Sequence, residues 1–520
     1  MKNFGNKLFE YVKTNFKPII LGTILVIVNF AVIATTIHFR HYGIFSKRAL
    51  LAYAILFIIS ALIIFILYQA KRKAWKLEKI FLVCGLILGI FYVFALPIGG
   101  PPDEPAHFWR AYQLSEGRVF PETDVDGNSG IYIPSNLRAA ISSRYSQSEG
   151  GYLLTAEDFT TYASEEYVLD SIPADSYLPF NYLPQIIGIW FGKILHLPLI
   201  PMMYLSRLLN VVFCVIVTYF CIKFCPVFKK AILLIALLPM TMHLFASVSA
   251  DGSIICAGFA LITFTLYMQK ATRQLQFKDF VLLFFICATL TLSKPVYAPL
   301  CLILFWIPKA RFSSVFRKFF SIIILGIIIF AILVISRLLY GSGSARFDAG
   351  EQISFIISKP IKYAFIFAQS SILAPEQFIN STIGRSLEWF STHLFAPYII
   401  TYFVFFVLLC AERVIKISRS LKIFMLCAFS FIVIATFTAM FIVWTEPGST
   451  TIEGVQGRYF IPILLLIPLF CQPSNLKRSS TAIEPVRQSE MVQIVKENYL
   501  IIFTALVNVY TIVAIICTHF

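Results

Sequence analysis

Long apolar runs dominate this chain and limit it to the folds that a lipid bilayer permits. Of its 520 residues, 58% are hydrophobic and only 13% are charged, whereas ordinary soluble domains carry ~25% charged residues. Runs of about 18 or more apolar residues predict helices that cross the membrane, because a spanning segment must satisfy its own backbone hydrogen bonds. The sequence therefore predicts an all-α integral membrane protein with many spans.

The apolar runs predict about 13 spans. A further apolar stretch at 178–197 begins with two prolines, and we expect it to lie in the outer membrane interface. If this stretch spanned the membrane instead, every later loop would change sides. The predicted spans lie near residues 18–39, 49–70, 80–98, 201–224, 231–249, 252–269, 280–293, 295–308, 319–340, 393–411, 421–444, 459–472 and 498–517.

The charges indicate membrane topology rather than nucleic-acid binding. The net charge is +16, but acidic residues concentrate between Gly99 and Tyr177, and the basic residues fall mostly in short loops between apolar runs. This is the positive-inside pattern of cytoplasmic loops. It predicts a multi-pass protein with a cytoplasmic N-terminus and no nucleic-acid partner.

Two long polar segments divide the predicted bundle. Residues 99–200 and 341–392 are expected to be external loop regions that carry juxtamembrane helices. The chain then separates into an N-terminal hairpin with a basic cytoplasmic loop, residues 1–79, and a transmembrane domain, residues 80–517. Within the second loop region, the amphipathic stretch Glu351–Ser371 is expected to lie along the membrane surface.

An acidic motif follows the third predicted span. The chain reads Gly-Gly-Pro-Pro-Asp-Glu-Pro-Ala-His from residue 99 to residue 107. The prolines stiffen the backbone around Asp103 and Glu104. Such a pair at a membrane surface fits a general base, a metal ligand or a polar cap on a helix end. We expect His107 to orient this segment rather than to perform chemistry.

Three more ionisable residues fall at predicted outer turns. Asp251 lies between two predicted spans, Lys294 precedes a proline at the next outer turn, and Arg458 opens the span after a third outer loop. Each alone has a plain structural explanation, since basic residues at helix ends reach for headgroups and an aspartate before glycine often forms a turn or cap. Because charges in a membrane are costly, their convergence on one face indicates a functional site.

Together these residues supply a carboxylate to accept a proton and cations to hold a phosphate. Arg458 suits bidentate phosphate binding, and Lys294 suits a point-charge contact. The set fits transfer of a group away from a lipid phosphate. A carboxylate would deprotonate an acceptor hydroxyl as it attacks the anomeric carbon, while the cations stabilise charge on the leaving phosphate.

Several sequence blocks resemble a known family. The similarity covers about residues 80–510, and it is to a bacterial family of polytopic membrane proteins known mainly as a domain of unknown function. That family is similar to the GT-C class of membrane glycosyltransferases. The blocks are PPDEPAHFWRAYQLSEG from residue 101, NYLP at 181–184, RLLN at 207–210, LPM at 238–240 with SADG at 249–252, SKPVY at 293–297, IGRSLEW at 383–389 and QGRY at 456–459.

The resemblance implies a GT-C-like helical bundle and gives roles to residues in these blocks. It implies Asp103 as the base, or Glu104 if the register differs. The side-chain chemistry described above assigns Arg458 and Lys294 to the donor phosphate. It also implies that the first external loop forms part of the acceptor site. The expected supporting or substrate-binding residues are His107, Arg110, Asp251, Tyr297, Trp389, Gln456 and Tyr459.

The resemblance also implies what the protein uses as partners. Some GT-C enzymes use a divalent metal, but no acidic metal motif is evident, and the eleven cysteines mostly lie inside apolar runs without zinc-ligand spacing. We therefore expect no cofactor, although a divalent metal stays open. The expected partners are a polyprenyl-phosphate-linked sugar donor, a glycan or lipid-linked acceptor, and membrane lipids.

The expected function is a glycosyltransferase of the bacterial plasma (inner) membrane. It would move a sugar from a polyprenyl-phosphate carrier to a cell-envelope glycan or lipid-linked acceptor on the outer face, with inversion at the anomeric carbon. The alternative is a transporter or flippase of polyprenyl-linked glycans that breaks no bond, and a third is an inactive relative that serves in assembly. Transporters often contain internal repeats, and none is visible here, which favours the enzyme.

Overall fold

A computed structural model describes residues 2–39, 46–123, 129–146, 155–170, 177–292, 294–340, 347–373, 375–387, 392–474 and 483–519. This part of the chain is mostly helical and contains eight helices that are long and apolar enough to cross a membrane. The prediction of a polytopic, integral helical membrane protein is therefore confirmed. The side of the membrane on which each loop lies stays a prediction.

The helices in chain order are α1 (Lys2–Phe39), α2 (Lys47–Arg72), α3 (Leu77–Ala95), α4 (Glu104–Ser115), α5 (Leu137–Ser146), α6 (Leu183–Ile194), α7 (Leu199–Phe224), α8 (Lys229–Ala236), α9 (Pro239–Phe245), α10 (Ala250–Lys270), α11 (Phe277–Thr291), α12 (Ala298–Cys301), α13 (Val315–Tyr340), α14 (Ala349–Ser358), α15 (Pro360–Ser371), α16 (Pro375–Ile383), α17 (Ala396–Ala411), α18 (Arg419–Val443), α19 (Leu466–Phe470) and α20 (Glu497–His519). The strands are β1 (Glu122–Thr123), β2 (Ser129–Pro134), β3 (Tyr167–Asp170), β4 (Ser386–Leu387), β5 (Thr392–His393), β6 (Ile415–Ile417) and β7 (Ile483–Pro485). Short 3₁₀ segments lie at Ala156–Phe159, Pro179–Asn181, Pro295–Tyr297, Leu302–Trp306, Lys309–Arg311, Gly457–Ile463 and Gln488–Glu490.

The eight long helices are fewer than the thirteen predicted spans. They are α1, α2, α3, α7, α10, α13, α18 and α20. The other five predicted spans form shorter or broken elements. Three of them contain an interrupting proline, at Pro239, Pro299 and Pro462, because proline lacks the N–H that continues a helix and clashes with the preceding turn. In the described residues these five are α8 with α9, α11 with 15 residues, the mixed 3₁₀ and α segment 295–306, α17 with 16 residues, and the 3₁₀ segment Gly457–Ile463 followed by α19.

The long C-terminal helix α20 lies at the centre of the bundle. Helices α1, α2 and α3 all pack against it, so the N-terminal hairpin and the C-terminus share one core. Asn29 donates a hydrogen bond to the Leu506 carbonyl at 3.0 Å, and Tyr92 donates one to the Asn508 side chain at 2.8 Å. These buried bonds fix the rotation of α1 and α3 against α20, which apolar contacts alone do not specify.

The first external segment forms a small folded unit over the bundle. Strands β1, β2 and β3 make an antiparallel sheet in which Ile131 pairs with Asp170 and Ile133 pairs with Val168. Helix α4 packs between this sheet and α6. With 12 residues α6 is ~18 Å long, which is shorter than the ~30 Å hydrocarbon core. This agrees with the prediction that the stretch 178–197 does not span.

The second external segment packs on the last turns of α18. Gln352 on α14 donates to the Thr445 carbonyl at 2.7 Å, and Tyr363 on α15 lies 2.7 Å from the Thr438 hydroxyl. The opposite face is apolar and highly exposed, at Ile357 (75%) and Ile361 (74%). The predicted amphipathic stretch is therefore helical, and its apolar face suits contact with lipid.

The central polar contacts predict a stability effect. We expect Asn508→Leu to lower the free energy of unfolding by about 1–2 kcal/mol, because Tyr92 loses its buried acceptor and the Leu237 carbonyl loses a donor at 2.9 Å. Thermal unfolding in detergent measures this loss. Ile327→Ala, at a side chain that is 59% exposed on α13, is the matched control. Equal losses in the two variants would contradict the central role of Asn508.

Candidate functional site

Asp103 occupies a constrained turn between α3 and α4. It precedes the first residue of α4 and adopts a left-handed backbone conformation with φ 63°. This region is uncommon for residues other than glycine, although aspartate tolerates it better than most. Its side chain makes no capping bond to α4, so the helix-cap interpretation does not explain it. The carboxylate points instead towards Arg458.

Glu104 differs from its neighbour because it is completely buried. Its carboxylate accepts two hydrogen bonds from Arg207, at 2.8 and 2.5 Å. The backbone N–H groups of Gly99 and Val248 also donate to it, at 3.1 and 2.8 Å. With four donors and no exposed surface, Glu104 joins α4 to α7 and to the segment before α10. This favours a structural role for Glu104.

Arg207 completes the buried pair on the other side. Its guanidinium also donates to carbonyls at the end of α3 and just beyond it, at Val93, Leu96 and Pro97, over 2.8–3.1 Å. The last carbonyls of a helix lack partners within the helix, so Arg207 satisfies groups that would otherwise be buried without a donor. Arg207 lies in one of the sequence blocks that resemble the family, but nothing in the sequence indicated that it pairs with Glu104.

Arg458 connects two carboxylates that are far apart in the sequence. Its Nη2 lies 2.7 Å from Asp103 Oδ2, and its Nη1 lies 3.5 Å from Asp251 Oδ2. Nη1 also donates to the Pro102 carbonyl at 3.3 Å. The Arg458 side chain is only 3% exposed. The predicted convergence of Asp103, Asp251 and Arg458 is therefore present in the fold.

Lys294 is held by Asp251 at the N-terminal end of α10. Its Nζ lies 2.5 Å from Asp251 Oδ1 and 4.5 Å from the centre of the Tyr459 ring. Tyr297 donates its hydroxyl to the Tyr459 carbonyl at 2.6 Å, which fixes that ring's backbone. Burial alone would lower the pKa of Lys294, but the charge of Asp251 raises it above its ordinary value. Lys294 is therefore a permanent cation.

These contacts form one chain of alternating charges, Asp103–Arg458–Asp251–Lys294, which we call the ionic cluster. It contains two carboxylates and two cations, so its charges balance. The exposed fractions of the side chains differ sharply, at 44% for Asp103, 3% for Arg458, 9% for Asp251 and 18% for Lys294. Asp103 is the member that a solvent-borne or membrane-borne molecule can reach.

His107 supports the cluster without adding charge to it. Its Nδ1 lies 2.5 Å from the Tyr182 hydroxyl. Burial lowers the pKa of His107 to about 4, although the nearby carboxylates of Asp103 and Asp251 oppose this shift. The ring is therefore neutral near pH 7 and links α4 to the turn before α6. This geometry fits the predicted orienting role.

The other predicted site residues fall into four groups. Arg110 is buried and donates to backbone carbonyls of Tyr177 and Val119, so it braces the external segment. Gln456 precedes the 3₁₀ segment that carries Arg458, and its carbonyl accepts from the Tyr459 N–H at 3.1 Å. Trp389 lies outside the described residues. Tyr297 and Tyr459 border the ionic cluster, as described above.

Helix α16 positions Arg458 through the preceding glycine. The Gly457 N–H donates to the Ser381 hydroxyl at 3.1 Å, and the Thr382 hydroxyl donates to the Gly457 carbonyl at 2.9 Å. A Cβ at position 457 would lie 2.4 Å from the Thr382 nitrogen and 2.5 Å from the Phe378 carbonyl oxygen. Only glycine permits this approach. Sequence analysis did not identify Ser381 or Thr382, because their contacts are purely tertiary.

An apolar cavity of about 650 Å³ lies between α7, α10 and α11, and none of the four residues of the ionic cluster lines it. Ser253, two residues after Asp251, lines one part of it, and Phe180 lines it next to the segment that contacts His107. Phenylalanine side chains such as Phe213 and Phe220 form much of its wall, and both are more than one third exposed. The ion pair of Arg273 and Asp279 also lines it. The cavity suits a hydrocarbon chain.

The described residues contain no group of three or more histidine, cysteine, aspartate and glutamate side chains placed to hold a metal ion. The carboxylates of the ionic cluster instead face Arg458 and Lys294. What the cluster can do with its own groups is pair with an anion through two cations and exchange a proton through one accessible carboxylate.

Comparison with known proteins gives one match. A family model described as "Predicted membrane protein (DUF2142)" matches residues 86–467, which include every member of the ionic cluster. No curated protein and no solved structure matches the chain.

The two adjacent carboxylates should respond differently to neutralisation. We expect Glu104→Gln to lower the free energy of unfolding by about 3–5 kcal/mol, because it leaves the Arg207 charge buried without its counter-ion. Asp103→Asn should cost no more than about 1 kcal/mol, since its partly exposed ion pair is weak and Arg458 keeps Asp251. Chemical unfolding in one detergent compares them. Similar losses would contradict the structural role of Glu104.

His107 predicts a pH dependence of stability. Its pKa is lower in the folded protein, about 4, than in the unfolded chain, so the unfolded chain binds more protons below about pH 6.5. Stability should therefore fall as the pH drops from about 6.5 to 4, by up to about 3 kcal/mol from this residue. We expect His107→Gln to lose that part of the acid sensitivity in thermal unfolding curves. An unchanged acid slope would show that another group is responsible.

Proposed function

The chain belongs to the DUF2142 family of predicted membrane proteins, and we propose that it is a GT-C-type glycosyltransferase. It would transfer a sugar from a polyprenyl-phosphate carrier to a cell-envelope glycan or lipid-linked acceptor on the outer face of the bacterial plasma membrane. The observation that carries the proposal is one contact, the accessible Asp103 carboxylate 2.7 Å from the buried Arg458 guanidinium. A proton acceptor and an anion binder are thus adjacent.

The surroundings of this contact favour an amphiphilic donor. Lys294 and Arg458 offer two buried cations to a phosphate, and the apolar cavity beside α10 offers space for a hydrocarbon chain. A lipid-linked sugar phosphate carries both parts in one molecule. This combination supports a lipid donor over a water-soluble nucleotide sugar, which would leave the apolar cavity without a role.

The proposed reaction assigns one step to each group. Asp103 accepts the proton of the acceptor hydroxyl as that oxygen attacks the anomeric carbon of the sugar. The bond from that carbon to the carrier phosphate oxygen breaks, and Arg458 and Lys294 stabilise the negative charge on the departing phosphate. Attack opposite the leaving group inverts the anomeric centre. No cofactor takes part in this scheme.

The remaining residues hold these groups in place. Asp251 contacts both cations, at 2.5 and 3.5 Å, and so sets the distance between them. His107 and Tyr182 fix the beginning of α4 relative to α6, next to the turn that carries Asp103. The folded external segment is the proposed acceptor side, since its sheet packs against α4, which begins directly after Asp103.

A transporter or flippase of polyprenyl-linked glycans is the second candidate. One observation favours it, because the apolar cavity extends from Ser253, near Asp251, to the Arg273–Asp279 ion pair beyond the other end of α10. A lipid headgroup moving across the membrane needs polar contacts near both ends of its path. The same cations would then bind the headgroup, and no bond would break.

A reconstituted assay separates the two candidates. Purified protein in liposomes receives a labelled polyprenyl-phosphate-sugar together with envelope lipids and glycans from the cells that make the protein. We expect transfer of the label, and Asp103→Asn should reduce its rate by about 10²–10⁴-fold because a general base is lost. Arg458→Lys should also slow transfer, since it keeps the charge but loses the bidentate geometry.

The matched control is Glu490→Gln, which neutralises a similarly exposed carboxylate, 48% against 44% for Asp103, that pairs with Lys416 at 2.7 Å. This variant should retain transfer. Movement of the labelled lipid between leaflets without transfer, in the wild type, would contradict the enzyme and favour the transporter.

A further inference from the structure

The base and the donor phosphate of the proposed reaction require the same arginine. Arg458 already contacts Asp103 through Nη2 and Asp251 through Nη1. Its Nε–H is buried and has no hydrogen-bond acceptor among the described residues. A buried donor without an acceptor is costly. Both Nη groups of Arg458 therefore already have acceptors, whereas Nε has none in the described part of the chain.

The groups around Asp103 provide no excess positive charge for an incoming anion. The charged and titratable groups around Asp103 come from five elements. They are Arg458 and Tyr459 from the 3₁₀ segment, Asp251 from α10, Lys294 from the turn after α11, His107 from α4 and Tyr177 from the loop before α6. His107 is neutral near pH 7, and the two carboxylates balance the two cations. A phosphodiester would add one negative charge to this buried site, so some carboxylate must lose its partner.

Asp103 is the carboxylate that can be displaced at the lowest cost. Its side chain is 44% exposed, so water can solvate it once the contact with Arg458 breaks. Asp251 is 9% exposed and also holds Lys294 at 2.5 Å, so its displacement would leave a buried charge without a partner. The Asp103–Arg458 contact is thus the weaker of the two pairs.

We propose that the donor phosphate displaces Asp103 from Arg458, so that the base is released only when the donor is bound. This inference rests on the proposed function, because it takes the phosphate as ligand and Asp103 as base. The phosphate oxygens replace the carboxylate on Nη2 and supply the acceptor that Nε lacks. No covalent bond changes in this step.

The exchange has two consequences. Before the donor binds, Asp103 is held by Arg458, which keeps the base away from a water molecule that could attack a partly bound donor. After the donor binds, the carboxylate is free to contact the acceptor hydroxyl. The donor must therefore bind before the acceptor is deprotonated.

Binding of a lipid phosphate tests this exchange without measuring transfer. The probe is methyl geranyl phosphate, a phosphodiester with one negative charge. Calorimetry of the full-length protein in detergent at pH 8 gives the dissociation constant of the probe.

Asp103→Asn provides the decisive comparison. This side chain is partly exposed, so the variant should fold. We expect it to bind the probe at pH 8 about tenfold more tightly than the wild type, because no carboxylate competes for Arg458. Glu490→Gln, which neutralises a carboxylate that pairs with Lys416 at 2.7 Å, should match the wild type. Equal affinities of the wild type and Asp103→Asn would overturn the inference.

The outcomes separate this inference from the proposed function. If the wild type binds the probe and Asp103→Asn binds it no more tightly, the exchange is wrong while the phosphate site stands. If neither protein binds the probe at any pH, the phosphate site itself is wrong and the proposed function falls with it.

Discussion

The buried ion pair of Glu104 and Arg207 is the interaction on which the geometry of the site depends. Neither side chain has exposed surface, and between them they satisfy carbonyls at the end of α3 and N–H groups at Gly99 and Val248. Buried charges persist only where partners and hydrogen bonds compensate for lost hydration. The pair therefore fixes the turn between α3 and α4, and this turn holds Asp103 in its left-handed conformation. Glu104 thus supports the structure of the turn, whereas the neighbouring Asp103 is accessible to a ligand.

Breaks in the helices bring the ionic cluster together. Asp103 precedes α4 after two prolines, Asp251 begins α10 after a serine cap, and Lys294 precedes Pro295. Arg458 lies in a 3₁₀ segment that α16 holds through Gly457. At such positions the backbone leaves the helical hydrogen-bond pattern, so a polar side chain can turn inwards without facing hydrocarbon. Among the five predicted spans that became short or broken elements, α11 and the segment 295–306 therefore adjoin Lys294, and the 3₁₀ segment Gly457–Ile463 carries Arg458 and packs against α10.

The sequence predicted the class of fold and the members of the cluster for a clear physical reason. Hydropathy indicates whether a segment lies in lipid or in water. The alternation of apolar runs with basic loops therefore predicted one side of the membrane for Asp103, Asp251, Lys294 and Arg458. The number of spans was overestimated, because hydropathy does not report where proline interrupts a helix. The partner of Glu104 and the docking of Gly457 on α16 could not be predicted, because nothing local in the sequence distinguishes Arg207 or Thr382 from an ordinary helix residue. Glu104 and Asp103 look equivalent in sequence and differ only in tertiary contacts.

The balance of charge in the cluster explains how such a site can exist before any substrate binds. Two unpaired cations beside an apolar cavity would be costly in a membrane, and so would two unpaired carboxylates. Pairing them in the order Asp103–Arg458–Asp251–Lys294 removes most of that cost, and it leaves the exposed carboxylate at one end of the chain. A ligand that carries its own negative charge can replace this terminal partner while the inner pair of Asp251 and Lys294 stays intact. The arrangement that stabilises the empty site is therefore the same arrangement that selects an anion.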